Sequence, residues 1–79
     1  MKKIIGMVNP FEYNQTLFVF DDQTLIDQIE VSTSRLTFGL KGLIKKYEIE
    51  EVIFKGSKEY TMGLVKPSDF SKHVKITFL

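Results

Sequence analysis

The stretch Lys55-Gly56-Ser57-Lys58 is the most suggestive piece of chemistry in this chain. Ahead of a helix, a Gly-Ser pair presents backbone N–H groups to an anion and two lysines add positive charge, so phosphate is the ligand such a turn would take. The spacing G-x-x-x-x-G-K-[ST] of a nucleotide-binding loop does not occur; the plain alternative is a strand-to-helix turn with Ser57 as N-cap. A second set is basic. Arg35, Lys41, Lys45 and Lys46 fall on the polar side of one helical stretch, where they could touch a nucleic-acid backbone or simply be solvated. A third is aromatic: Phe11, Tyr13, Phe18 and Phe20 could stack on bases or cover a sheet face as core. Gly39-x-x-Gly42 makes a flat spot on a helix, for a second helix or for the chain's own sheet. His73 is the single histidine, with no nameable nucleophile or metal partner, so no Ser/His/Asp arrangement is credible.

Composition excludes several classes. The chain has 79 residues, enough for one domain and too few for a large cofactor domain or two substrate-handling lobes. A chain this short buries only roughly 60–65% of the surface its unfolded form exposes, so its core must be dense or supplemented by a partner. With no cysteine there is no disulfide framework, thiolate zinc site or cysteine nucleophile, and one histidine rules out a multi-histidine metal site. The longest apolar runs, such as Leu17–Phe20, are too short to span a membrane. Met1-Lys2-Lys3 meets Gly6, Asn9 and Pro10 before any adequate hydrophobic stretch, which reads as cytoplasmic rather than secreted. Eleven basic against ten acidic side chains give a net charge of +1 and no strong footprint for nucleic acid or anionic membrane.

Hydrophobic periodicity supplies the elements that must carry these side chains. Lys3–Val8 is a short β-branched run, expected as a buried strand with Gly6 admitting a close neighbour. Asn9-Pro10 breaks it and Phe11–Gln15 is a loop. Thr16–Phe20 and Leu25–Val31 are two strands of an antiparallel hairpin turned by Asp21-Asp22-Gln23. Leu25, Ile29 and Val31 share one face in this reading, with Asp27 interrupting it, and Ile26, Gln28 and Glu30 share the other. Ser32-Thr33-Ser34 offers N-caps to a helix over Thr33–Tyr47, whose apolar stripe is Leu36, Leu40, Leu43, Ile44 and Tyr47. Ile49–Lys55 is a fourth strand, and Ser57–Lys66 a shorter helix with Tyr60 and Leu64 four apart, stopped by Pro67. His73–Phe78 alternates as a half-buried strand at a sheet edge. The order β-β-β-α-β-α-β, with right-handed crossovers, predicts an α/β domain over residues 1–79 built on a mixed five-stranded sheet of order 3-2-1-4-5.

That element order resembles the ribonuclease H-like superfamily, which includes ribonuclease H, Holliday-junction resolvases and retroviral integrases. Ile4-Ile5-Gly6-Met7-Val8-Asn9-Pro10 is similar to the resolvase pattern of hydrophobics, Gly, a hydrophobic, Asp, Pro. Leu43 to Ser57 resembles the superfamily's helix entering the fourth strand, where an acidic residue normally follows the apolar centre. The resemblance implies a clustered set of carboxylates holding divalent metal in the members that cut nucleic acid. Here Asn9 stands at the first-strand position, Lys55 ends the fourth strand, the helix Thr33–Tyr47 has no Asp or Glu, and the superfamily's usual last helix has no counterpart.

The expected protein is therefore a degenerate, truncated, non-catalytic version of that fold, without metal or cofactor. The expected role is a small phage- or mobile-element-type binding protein that contacts a protein partner or itself as a homodimer. The alternative is a nucleic-acid-binding module using Lys41, Lys45, Lys46, Lys55 and Lys58, with Asn9 and Ser57 as further candidate contacts; a metal-dependent nuclease ranks below both.

Overall fold

Alternation of apolar and polar residues writes the sheet, and the computed structural model, which describes residues 1–79, shows five strands and two helices. The strands are β1 (Lys2–Val8), β2 (Asn14–Asp21), β3 (Thr24–Ser32), β4 (Glu51–Gly56) and β5 (Lys75–Phe78); the helices are α1 (Leu36–Tyr47) and α2 (Lys58–Leu64). The sheet order is β3-β2-β1-β4-β5, as expected. β1 pairs antiparallel with β2 and parallel with β4, so it is the central strand where the sheet changes sense. No helix is long and apolar enough to cross a membrane.

The crossovers from β3 to β4 and from β4 to β5 advance the same way along the sheet. Crossovers of this kind are right-handed almost without exception, which lays α1 and α2 on the same face. The core sits between that face and the helices: Ile4, Leu17, Val19, Val52 and Phe54 from the strands meet Leu36, Leu40 and Leu43 from α1. The Thr37 hydroxyl donates to the Leu64 carbonyl at 3.2 Å and links the helices to each other.

Two glycines set how close the layers come. A Cβ at Gly6 would lie 2.8 Å from Phe54 Cδ1, so the Phe54 ring occupies the side-chain space that Gly6 leaves vacant. Phe54 then stacks on Phe78, ring centroids 5.6 Å apart. A Cβ at Gly39 would lie 2.8 Å from Val31 Cγ1, so α1 approaches β3 at that point, while Gly42 faces open space. The Gly39-x-x-Gly42 pair is half explained, by packing of α1 on its own sheet.

Several local expectations are corrected. α1 begins at Leu36 behind a 3₁₀ turn over Thr33–Arg35, and neither Ser32 nor Ser34 caps it. Ser57 makes no side-chain cap on α2 either; its carbonyl accepts from Thr61 instead. The buried stripe of α2 is Thr61, 1% exposed, with Leu64 half-buried, while Tyr60 stays 36% exposed. A bulge in β3 pairs Val19 with Asp27 but the next residue, Phe20, with Leu25. The extra residue, Ile26, turns Leu25 away from the face of Ile29 and Val31, because a one-residue slip exchanges the two faces. His73 lies in an exposed turn before β5, not in the strand.

Asp22, Glu48 and Gly56 have positive φ, and the last two make opposite predictions. Glu48 ends α1 in the left-handed region at φ 54°, a place that favours glycine. Gly56 has φ +119°, and a Cβ there would lie 2.2 Å from the Val8 carbonyl oxygen. Thermal unfolding should therefore move in opposite directions. Glu48→Gly is expected to stabilise by about 0.5–1 kcal/mol, and Gly56→Ala to destabilise by about 3 kcal/mol. A melting temperature unchanged in Gly56→Ala would contradict the strained-turn account.

Candidate functional site

Asn9, Gly56 and Ser57 come together at the carboxyl ends of β1 and β4. With Met7, Val8, Pro10 and Phe11 they line a groove of about 520 Å³. In open α/β sheets ligands settle outside the carboxyl ends of strands, so this is where the fold offers chemistry. Asn9 is engaged locally: its Oδ1 accepts from the Phe11 N–H at 2.9 Å, an Asx turn that shapes the loop. Lys55 leaves the groove. It is the register partner of Met7, on the sheet face away from the helices. Lys58 opens α2.

The residue organising this end of the molecule is one that the sequence reading places inside a loop. Gln15, only 1% exposed, lies on the helix-covered face at the start of β2. Its Oε1 accepts from the Asn9 N–H at 2.7 Å; its Nε2 donates to the Asn9 carbonyl at 2.8 Å and to Thr33 Oγ1 at 2.9 Å. Thr33 in turn donates to the Tyr13 carbonyl at 3.0 Å. One amide thus pins the exit of β1, the β1–β2 loop and the turn into α1. The only sequence signal is the alternation with Leu17 and Val19, which puts residue 15 on the core side.

The basic candidates do not converge. Lys41, Lys45 and Lys46 ride on α1, with Lys41 Nζ 5.9 Å from the Phe70 ring centroid and Lys46 Nζ 5.1 Å from that of Tyr47. Lys55 is on the opposite side of the sheet. No three His, Asp or Glu side chains are placed to hold a metal ion. Phe11 and Tyr13, more than 90% exposed, stand at the β1–β2 loop, apart from Phe18 and Phe20 on the sheet, so the four form no single cluster.

The larger feature is the sheet face that no helix covers. Its middle row, read across the register, is Gln28, Phe18, Ile5, Ile53 and Thr77. On one side of it lie Leu25, Phe20, Lys3, Glu51 and Lys75; on the other, Glu30, Thr16, Met7 and Lys55. Phe18, Ile5 and Ile53 thus make an apolar centre flanked by charge. The accessible surface, 5269 Å², exceeds the roughly 4,900 Å² expected for a compact chain of this mass.

No family model and no curated protein matches the sequence. A solved structure does match: a protein of Bacteroides thetaiotaomicron VPI-5482 with an actin-like ATPase fold and unknown function. It is similar over 99% of this chain at a TM-score of 0.71 and 16% identity. The actin-like ATPase fold is related to that of ribonuclease H. The fold of this chain is ribonuclease H-like. The chain spans 32% of the length of that structure, and at such identity the likeness reaches the fold alone, without singling out the resolvase branch.

One titrating contact ties the ribonuclease H-like sheet to its first helix. The Tyr47 hydroxyl donates to Asp27 Oδ2 at 2.5 Å and holds the Asp27 carboxyl below the usual carboxylate range. The Gln28 N–H at 2.8 Å and the charge of Lys46 act in the same direction, against partial desolvation.

Two outcomes are expected. A depressed carboxylate stabilises the fold above its ordinary pKa of about 3.9, and that contribution is lost as pH falls through the lower folded value. The difference in melting temperature between the parent chain and Tyr47→Phe should thus be larger at neutral pH than in strong acid; a constant gap would rule the contact out as the cause. Gln15→Leu should cost about 1–3 kcal/mol, because the Asn9 N–H and carbonyl lose a part-buried partner and the Thr33 hydroxyl loses a donor. Hydrogen exchange should speed at the Asn9 amide first, and unchanged exchange there would refute the role given to Gln15.

Proposed function

We propose that this chain is a resolvase-like variant of the ribonuclease H-like fold that lacks catalysis and works by binding protein on its uncovered sheet face. The observation that carries this reading is the row Phe18, Ile5 and Ile53, half-buried apolar side chains side by side on the sheet face opposite the helix-covered core. Contiguous apolar surface of this kind on a small domain marks a contact site. Loss of catalysis is supported by the carboxyl ends of β1 and β4. There an amide, Asn9, is spent on the loop, and Lys55 faces away. The resolvase branch is supported by the Ile4–Pro10 pattern, in which Asn9 replaces the expected acid. A nucleic-acid role would rest on Lys41, Lys45 and Lys46 alone, since Lys55 lies across the sheet from them.

A photoreactive phenylalanine analogue placed at Phe18 and, as a control, at the exposed Phe38 of α1 tests the reading in the cells that express the protein. Covalent protein adducts are expected from position 18 and not from position 38. Equal yields at both positions, or none at 18, would remove the sheet face as the working surface. In parallel, pure protein with magnesium or manganese should leave single- and double-stranded nucleic acid intact; cleavage that co-purifies with the chain would overturn the non-catalytic assignment.

A further inference from the structure

We infer that the occupant of the uncovered face is a second copy of this chain, packed sheet on sheet about a two-fold axis running across the strands at the level of Ile5. This inference rests on the binding role proposed above and goes further by naming the partner. The argument is one of charge and symmetry. Two sheets facing each other under two-fold symmetry have their axis in the plane between them, and aligned packing puts it close to the strand direction or close to its perpendicular. An axis along β1 sets Lys3 against the partner's Lys3 and Phe20 against the partner's Glu51, which opposes like charges and buries a carboxylate against a ring. An axis across the strands keeps each strand over its own copy and exchanges the flanking rows. Ile5, Phe18 and Ile53 then meet their own counterparts, Lys3 meets the partner's Met7, and Glu51 meets the partner's Lys55 twice by symmetry. No like charges oppose each other in that arrangement, and the pattern is complementary to itself.

The size of the face sets the strength. Five strands spaced about 4.8 Å apart and about seven residues long present roughly 500 Å² per copy, or about 1,000 Å² for the pair. That is the lower edge of specific interfaces, so the association is concentration-dependent, with Kd on the order of 10–100 μM. Aligned sheet packing at about 30° accommodates the twist of both copies.

Sedimentation equilibrium across a concentration series is the first measurement. The mass is expected to rise from 9.2 kDa toward twice that value. Glu51→Lys and Lys55→Glu should each weaken self-association by about tenfold, because each sets like charges opposite one another twice. Mixing the two variants in equal amounts should restore it. In the mixed pair the two introduced side chains face each other with opposite charge, and so do the two that were left unchanged.

Both positions lie on the uncovered face, Glu51 half-buried and Lys55 exposed, and circular dichroism is the check that each variant folds. Phe18→Glu should abolish association in every background. A wild-type chain that stays at 9.2 kDa at about 1 mM, or a dimer whose mixed variants fail to recover, would overturn the inference. Adducts from position 18 to a protein of another mass, with the chain itself monomeric, would sink the second copy as partner yet leave the binding role standing. The absence of any adduct at position 18 would remove the binding role instead.

Discussion

The handedness of two crossovers governs most of this molecule. Strand–helix–strand units turn right-handed almost without exception, and both here advance from the β3 edge toward the β5 edge, which delivers both helices to one face of the sheet. The core follows from that: Ile4 and Val8 are buried and Ile5 and Met7 are not, although all four belong to one apolar run in β1. The close contacts follow as well. Phe54 lies over Gly6 and Val31 under Gly39, because a single helical layer must reach down to a sheet that it alone covers. A run that reads as uniformly buried by composition is split in two by topology.

The same topology explains why the ends of β1 and β4 form a groove without the acid. Parallel neighbours at a change of strand sense leave a crevice whatever residues line it. What differs is the use of the side chains. An aspartate at position 9 would carry charge toward that crevice. An asparagine offers a neutral carbonyl, which here accepts from Phe11 N–H while Gln15 holds the Asn9 backbone from the other side. The polar groups at this end satisfy one another across the β1–β2 loop and the turn into α1, and no buried side-chain polar atom is left without a partner. The network is directed inward, to hold a loop in place.

The element order and the sheet order are legible in the sequence because both depend on long-range regularities. Period 2 in β1, β2 and β5, period 3.6 in α1 and the handedness rule together leave few arrangements. The misreadings are local and each has a physical source. The bulge at Ile26 adds one residue without any compositional mark, so an alternation carried straight through β3 puts Leu25 on the wrong face. Thr33 is a good capping residue by type, yet its hydroxyl serves the Tyr13 carbonyl and Gln15, a competition between partners that only the folded chain decides. Composition favours Tyr60 over Thr61 because the ring is the more apolar of the two. The threonine is buried since its hydroxyl donates back to the Ser57 carbonyl at 2.7 Å and carries no unmet polarity inward. Gln15 escapes notice for the opposite reason: polar residues in a loop are read as solvated, and this one is the buried hinge of three segments.

A sheet with an uncovered face has two ways to meet another protein, across the face or along an edge strand, and the edges here are poorly suited to it. β5 has only four residues, too few to template a long partner strand. β3 is longer, but its bulge breaks the even row of N–H and C=O groups, and Glu30 projects charge beside it. Short, bulged and charged edges are the devices by which sheets avoid strand addition. The face has no such protection at its centre, where Phe18, Ile5 and Ile53 lie side by side on three neighbouring strands. Charge on that face is confined to the flanking rows, where it orients a partner without desolvating an ion at the middle of the contact. On the proposed binding reading, contact across the face suits this sheet better than strand addition at its edges.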